Sequence, residues 1–130
     1  MAADFETVAK QFVEFYYNAF DADRKGLVQL YRENSMLTFE STSTLGAGPI
    51  VEKLVGLPFE QVKHRVDTLD AQPAVEGGVI ILVTGALLVD AEQRPMSYAQ
   101  TFQLQKDASG TYFIYNDLFK LHLLSSTTPS

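Results

Sequence analysis

The sequence predicts an α+β domain with helices covering one face of an antiparallel sheet. Three observations predict it. Helical apolar spacing is confined to the segment before Gly56, and strand-like patterns occupy most of the chain after Glu60. Short polar turns separate those later strands, which favours antiparallel neighbours. One strand, Val79 to Asp90, is apolar on both faces at its start, so it belongs inside a sheet covered on both sides.

The elements follow in order. Phe5, Val8, Phe12, Phe15/Tyr16 and Ala19/Phe20 recur every three to four positions, one face of an amphipathic helix with Asp4 as its N-cap. So aromatic a stripe fits a helix lying across something broad and concave, such as a curved sheet. Asp21-Ala22-Asp23 breaks it, and a short helix follows from about Arg24 to Tyr31. Ser35 to Glu40 alternates as a strand, with Leu37 and Phe39 on one side and Met36, Thr38 and Glu40 on the other. Ser41 to Gly48 reads as a turn and irregular chain. Gly48-Pro49 opens a helix that Gly56 closes. Val62, His64 and Val66 then share one strand face, ending at Gln72-Pro73. Met96, Tyr98, Gln100, Phe102 and Leu104 share one face of a later strand. Thr111 to Leu123 forms the last one, interrupted near Asn116-Asp117 by an expected bulge. The reading is one domain over 1–124 with a flexible tail at 125–130. Helices suffice for one sheet face only, so the other face calls for a partner, and a second copy of the chain is the simplest.

Composition narrows the function. The 130 residues carry a formal net charge of −6 and no cysteine. Duplex binding needs a basic footprint, so nucleic acid is not expected as a partner, whereas basic protein surfaces are. A thiolate zinc site and a cysteine nucleophile are excluded. With only His64 and His122 as histidines, no metal site or cofactor is expected. No apolar run approaches the roughly 20 residues that span a bilayer, so no membrane insertion is expected. No signal peptide pattern begins the chain, which favours an intracellular location.

Two groups of residues invite chemistry. His64 stands between two valines, and Asp117 lies in an aromatic neighbourhood. Each reads either as a satisfied core group or as a polar group lining a pocket, where it could act as a base on a small apolar substrate. Glu40, Asp90 and Glu92 end or follow apolar strand segments. Each is either a solvated turn charge or part of a negative collar at one mouth, suited to Lys or Arg from a protein partner.

The chain resembles the nuclear transport factor two family, small homodimers that carry GDP-bound Ran into the nucleus. The likeness runs from about Asp4 to His122. It rests on Phe15-Tyr16-Tyr17, Phe20-Asp21, Asp23-Arg24, Leu37-Thr38-Phe39-Glu40, Ile50-Val51-Glu52-Lys53-Leu54 and Leu57-Pro58-Phe59. Gln61 with His64, Asp70-Ala71-Gln72-Pro73 and Asn116-Asp117-Leu118-Phe119 complete it. The resemblance implies a cone-like, strongly curved sheet wrapped on a long N-terminal helix around an apolar cavity, the cystatin-like or ketosteroid-isomerase-like fold. It further implies that a Ran aromatic enters the cavity and that rim acids pair with Ran cations, with Glu40, Asp90, Glu92, His64 and Phe39 as the Ran-binding set and no catalytic residues. Phe39 stands where some members have tryptophan. Phe5 takes the place of the family's tryptophan that binds phenylalanine-rich nucleoporin repeats, keeping the ring while losing area and the indole donor. The implied location is cytoplasm and nucleus, enriched at the nuclear pore. The fold is shared with isomerases and dehydratases, so the alternative is a cavity enzyme using His64 or Asp117 as base.

Overall fold

In a computed structural model the residues described are 4–90 and 94–122. Helix α1 (Asp4–Ala22) leads through a 3-10 segment (Arg24–Leu30) into strands β1 (Tyr31–Phe39) and β2 (Thr42–Leu45). Helix α2 (Ala47–Val55) follows, then the long strands β3 (Val62–Pro73), β4 (Val79–Val89), β5 (Met96–Lys106) and β6 (Tyr112–His122). They form one sheet in the order β2-β1-β6-β5-β4-β3. β1 and β6 run parallel, and the other neighbours run antiparallel as expected.

α1 forms where the apolar stripe placed it, burying Ala9, Val13, Tyr16, Tyr17 and Phe20. Each fully buried large side chain of this kind contributes roughly 1.5–3 kcal/mol. Among the described residues α1 begins at Asp4, the residue expected to cap it. From this one helix, Tyr17 stacks on His64 of β3, Phe12 packs edge-on against Phe102 of β5, and Tyr16 reaches Asp117 of β6 and Tyr31 of β1. β3 and β1 are four strand spacings apart, about 19 Å along the sheet. A single helix touches both because the sheet curls around it.

Two bulges shape that curl. On β3, Val66 pairs with Gly85 and Thr68 with Thr84, leaving Asp67 as the extra residue. The slip turns Leu69 and Ala71 toward the core, against which both pack. Val66 keeps the face of His64 but remains 43% exposed, because it borders an open groove beside α1. Here β3 passes so close to β4 that a Cβ on Gly85 would stand 1.8 Å from the Arg65 carbonyl oxygen. On β6 the strand is continuous through Asn116-Asp117, and the extra residue is Tyr115. That slip lets Ile114 and Asp117, of opposite parity, both be fully buried.

The segment read as irregular contains β2, an edge strand with little burial. Helix α2 starts at Ala47, ahead of the expected Gly48-Pro49. On the sheet face away from α1, Ile80, Leu82, Met36 and Leu118 are 40–52% exposed. Leu82, Thr101, Leu118 and Thr38 lie side by side in register across four strands.

Candidate functional site: an apolar cavity

Between α1, α2 and the concave face of the sheet lies a narrow cavity. Phe39 and Leu37 of β1, Leu54 of α2, Val62 and His64 of β3, Leu87 of β4 and Phe119 of β6 contribute to its walls. About 10 Å³ of it is open to the centre of a water molecule, room for one water. Phe39 stacks on Phe119 with ring centres 4.8 Å apart, and Phe119 stacks on Tyr98 at 5.6 Å. The Lys53 ammonium sits 5.8 Å over the Phe39 ring.

The cavity's polar groups are turned to one another. The His64 side chain is only 2% exposed. Its Nδ1 lies 2.7 Å from Asp21 Oδ1, while its backbone N–H donates to Asp21 Oδ2 at 3.0 Å. One carboxylate at the end of α1 thus holds both ring and main chain of His64. Asp117 is fully buried behind the wall. Its Oδ2 accepts from Tyr31 at 2.7 Å, and Tyr31 and Tyr16 share a hydrogen bond of 2.8 Å. Its Oδ1 accepts from Gln100 Nε2 at 2.7 Å, and Gln100 Oε1 accepts from Tyr17 at 2.8 Å. Burial pushes the Asp117 carboxyl up to about 6, against the three hydrogen bonds that favour its charged form. Burial and the Asp117 charge drive the Tyr16 and Tyr31 hydroxyls well above the usual phenol range.

Two of the three expected rim acids, Glu40 and Asp90, fall among the described residues and share a backbone geometry. Glu40 follows β1 and Asp90 follows β4, at the same end of the sheet. Both have left-handed backbone, φ 51° and 52°, a region that glycine, asparagine and aspartate visit most readily and glutamate seldom. Glu40 and Ser41, both at positive φ, make the two-residue turn into β2. The half-buried Glu40 carboxylate accepts from the Leu121 N–H at 2.8 Å. Asp90 Oδ1 accepts from the N–H groups of Glu60 and Gln61 at 3.0 and 2.8 Å. Backbone amides therefore fix where both carboxylates stand. Glu92, the third expected acid, lies outside the described residues.

Phe5 is not among the residues that line the cavity. It lies in the first turn of α1, half-buried and packed against the core cluster. Sequence reasoning missed Asp21 as the partner of His64, and Gln100 and Tyr31 as partners of Asp117. The pairs are separated by 43, 17 and 86 positions, and no local pattern links them. Among the described residues no group of His, Asp or Glu side chains could hold a metal ion, and no helix is long and apolar enough to cross a membrane.

A curled six-stranded sheet closed by a long helix over an apolar cavity defines a protein of the cone-shaped α+β class. Residues 8–121 match the nuclear transport factor 2 (NTF2) domain model. The chain is 60% identical over 124 residues to nuclear transport factor 2 of Neurospora crassa, covering 95% of this chain and all of that one. It is 52% identical to nuclear transport factor 2 of Saccharomyces cerevisiae over 123 residues, 94% and 98% of the two chains. The structure of nuclear transport factor 2 from Cryptosporidium parvum superposes with a TM-score of 0.87 at 38% identity, covering 92% of this chain and 95% of that one. The chain belongs to the nuclear transport factor 2 family, and its role is in nuclear transport.

Proposed function

We propose that the protein is a non-enzymatic carrier that binds GDP-bound Ran. In this reading an aromatic side chain of Ran occupies the apolar cavity, bordered by Phe39 and His64, and Ran cations pair with Glu40, Asp90 and Glu92. The observation that carries it is the pair of acids held in left-handed backbone beside an apolar cavity. At Glu40 that backbone conformation persists only where surrounding contacts over-determine it, and such positions concentrate at functional sites. The net charge of −6 suits a basic partner surface.

The carrier acts as a homodimer, joined through the exposed apolar sheet face around Leu82 and Leu118. Phenylalanine-rich nucleoporin repeats bind elsewhere, at a surface that includes Phe5. The protein passes between cytoplasm and nucleus and concentrates at the pore. The carrying domain in this reading is the segment 1–124.

The enzyme alternative finds little support in the geometry. Asp117 is not among the cavity-lining residues, and both its oxygens accept hydrogen bonds from protein groups. His64 does line the cavity, with Nδ1 committed to Asp21. The deciding experiment is a pull-down with Ran loaded with GDP and then with GTP. The carrier retains the GDP form selectively. Retention of neither form, or of both equally, contradicts the proposal.

A further inference from the structure

The cavity is narrow, with room for one water, so a ring that enters must displace part of its wall. Most of the wall belongs to α1, α2 and the sheet. The exception is Leu57–Gln61, a stretch without helix or strand between α2 and β3, which contributes Leu57 and Phe59.

Polar hooks hold this stretch from two sides. The Arg24 guanidinium donates to the Leu54 carbonyl at 3.2 Å and to the Phe59 carbonyl, and it lies 5.7 Å over the ring of Phe20, another cavity wall. Opposite, Asp90 accepts from the N–H groups of Glu60 and Gln61, and its own N–H donates to the Gln61 carbonyl at 2.8 Å. Behind the stretch is an open cleft of about 200 Å³ bordered by Arg24, Glu60, Phe20 and Val62. Phe20 and Val62 separate this cleft from the cavity. A wall displaced on this side has space to move into.

We propose that Leu57–Gln61 is the gate of the apolar cavity and that Arg24 is its latch, a positioning residue for ring entry. The proposal rests on the reading of the cavity as a ring-binding site. Asp90 is at once the second hook and a rim acid. A partner cation drawn to that carboxylate competes with the Glu60 and Gln61 amides, so charge recognition at the rim loosens the gate.

The test compares the full-length wild type with Arg24→Gln and Arg24→Lys. Residue-resolved amide exchange reads the gate at Leu57, Glu60 and Gln61. Benzene, followed through the methyl resonances of Leu54, Leu57 and Leu87, reads ring entry. Losing charge-assisted hydrogen bonds to two carbonyls should speed gate exchange and benzene entry about 10-fold or more in Arg24→Gln. Amides of Ile81 and Phe102 should be unaffected, and Arg24→Lys should fall between. Unchanged gate exchange and unchanged entry in Arg24→Gln overturn the proposal. If that variant does not fold, the wild type decides. Benzene entry at the opening rate of Leu57–Gln61 supports the gate, and opening of that stretch only together with Ile81 and Phe102 refutes it. Ran-GDP binding is a separate arm. Arg24-sensitive benzene entry without Ran binding keeps the gate and rejects the carrier. Ran binding with Arg24-insensitive benzene entry keeps the carrier and rejects the gate.

Discussion

The two faces of the curled sheet are built from the same strands and solve opposite problems. On the concave face, β5 presents Tyr98, Gln100, Phe102 and Leu104, all buried, and the polar atoms among them are paired across the core. On the convex face, Leu82 and Leu118 lie half in solvent beside Thr101 and Thr38. The concave face spends its apolar surface within the chain, while the convex face leaves part of it in solvent, the surface proposed to pair with a second copy. Substitutions on the first should therefore act on folding, and those on the second on assembly.

The largest effect is expected where the concave face is tightest. Gly85→Ala puts a Cβ against the Arg65 carbonyl oxygen, a backbone atom that cannot swing aside. Destabilisation of about 4 kcal/mol or more is expected in urea unfolding. A change below about 1 kcal/mol would show that the sheet relaxes there.

Next is the buried carboxyl beneath the cavity. With Asp117 raised from 3.8 to about 6 in the folded state, the fold binds this proton more tightly than the unfolded chain does. Its contribution to stability is complete below about pH 3.8 and declines as pH rises through 6, by roughly 3 kcal/mol in all. Unfolding measured from pH 4 to 7 should show the wild type losing that amount relative to Asp117→Asn. Parallel pH curves would mean that Asp117 ionises normally in the fold.

The convex face gives the smallest effect on the monomer fold. Leu118 is 52% exposed, so Leu118→Glu should change monomer stability by less than about 1 kcal/mol. Sedimentation should nevertheless shift from about twice the 14.4 kDa chain mass toward that mass itself. A variant that remains dimeric would place the dimer contact elsewhere.

The same contrast explains what was legible in the sequence. β5 alternates cleanly because one face is core and the other is not, so its inward set could be read directly. β2 could not, since an edge strand of Thr, Ser, Thr and Leu with little burial carries no period. The parallel β1–β6 junction was equally hidden, because alternation assigns a face and not a neighbour. At the site, Glu40 and Asp90 were visible as acids ending apolar strands. Their left-handed backbone and their amide partners were not, since these depend on Leu121, Glu60 and Gln61 brought in from elsewhere in the chain. Arg24 was visible in the family resemblance only as part of a motif, without its carbonyl partners.

The central claim is that rim charge beside the cavity recognises a cationic partner, and Glu40 tests it most directly. Because its carboxylate also holds the Leu121 N–H, Glu40→Gln is the informative substitution: it retains an oxygen acceptor for that bond and removes the charge. Titration calorimetry against Ran-GDP should show a loss of roughly 2 kcal/mol or more, about 30-fold in affinity. Dimer mass and melting temperature should be unchanged. Full affinity in Glu40→Gln, with the fold intact, would contradict the account.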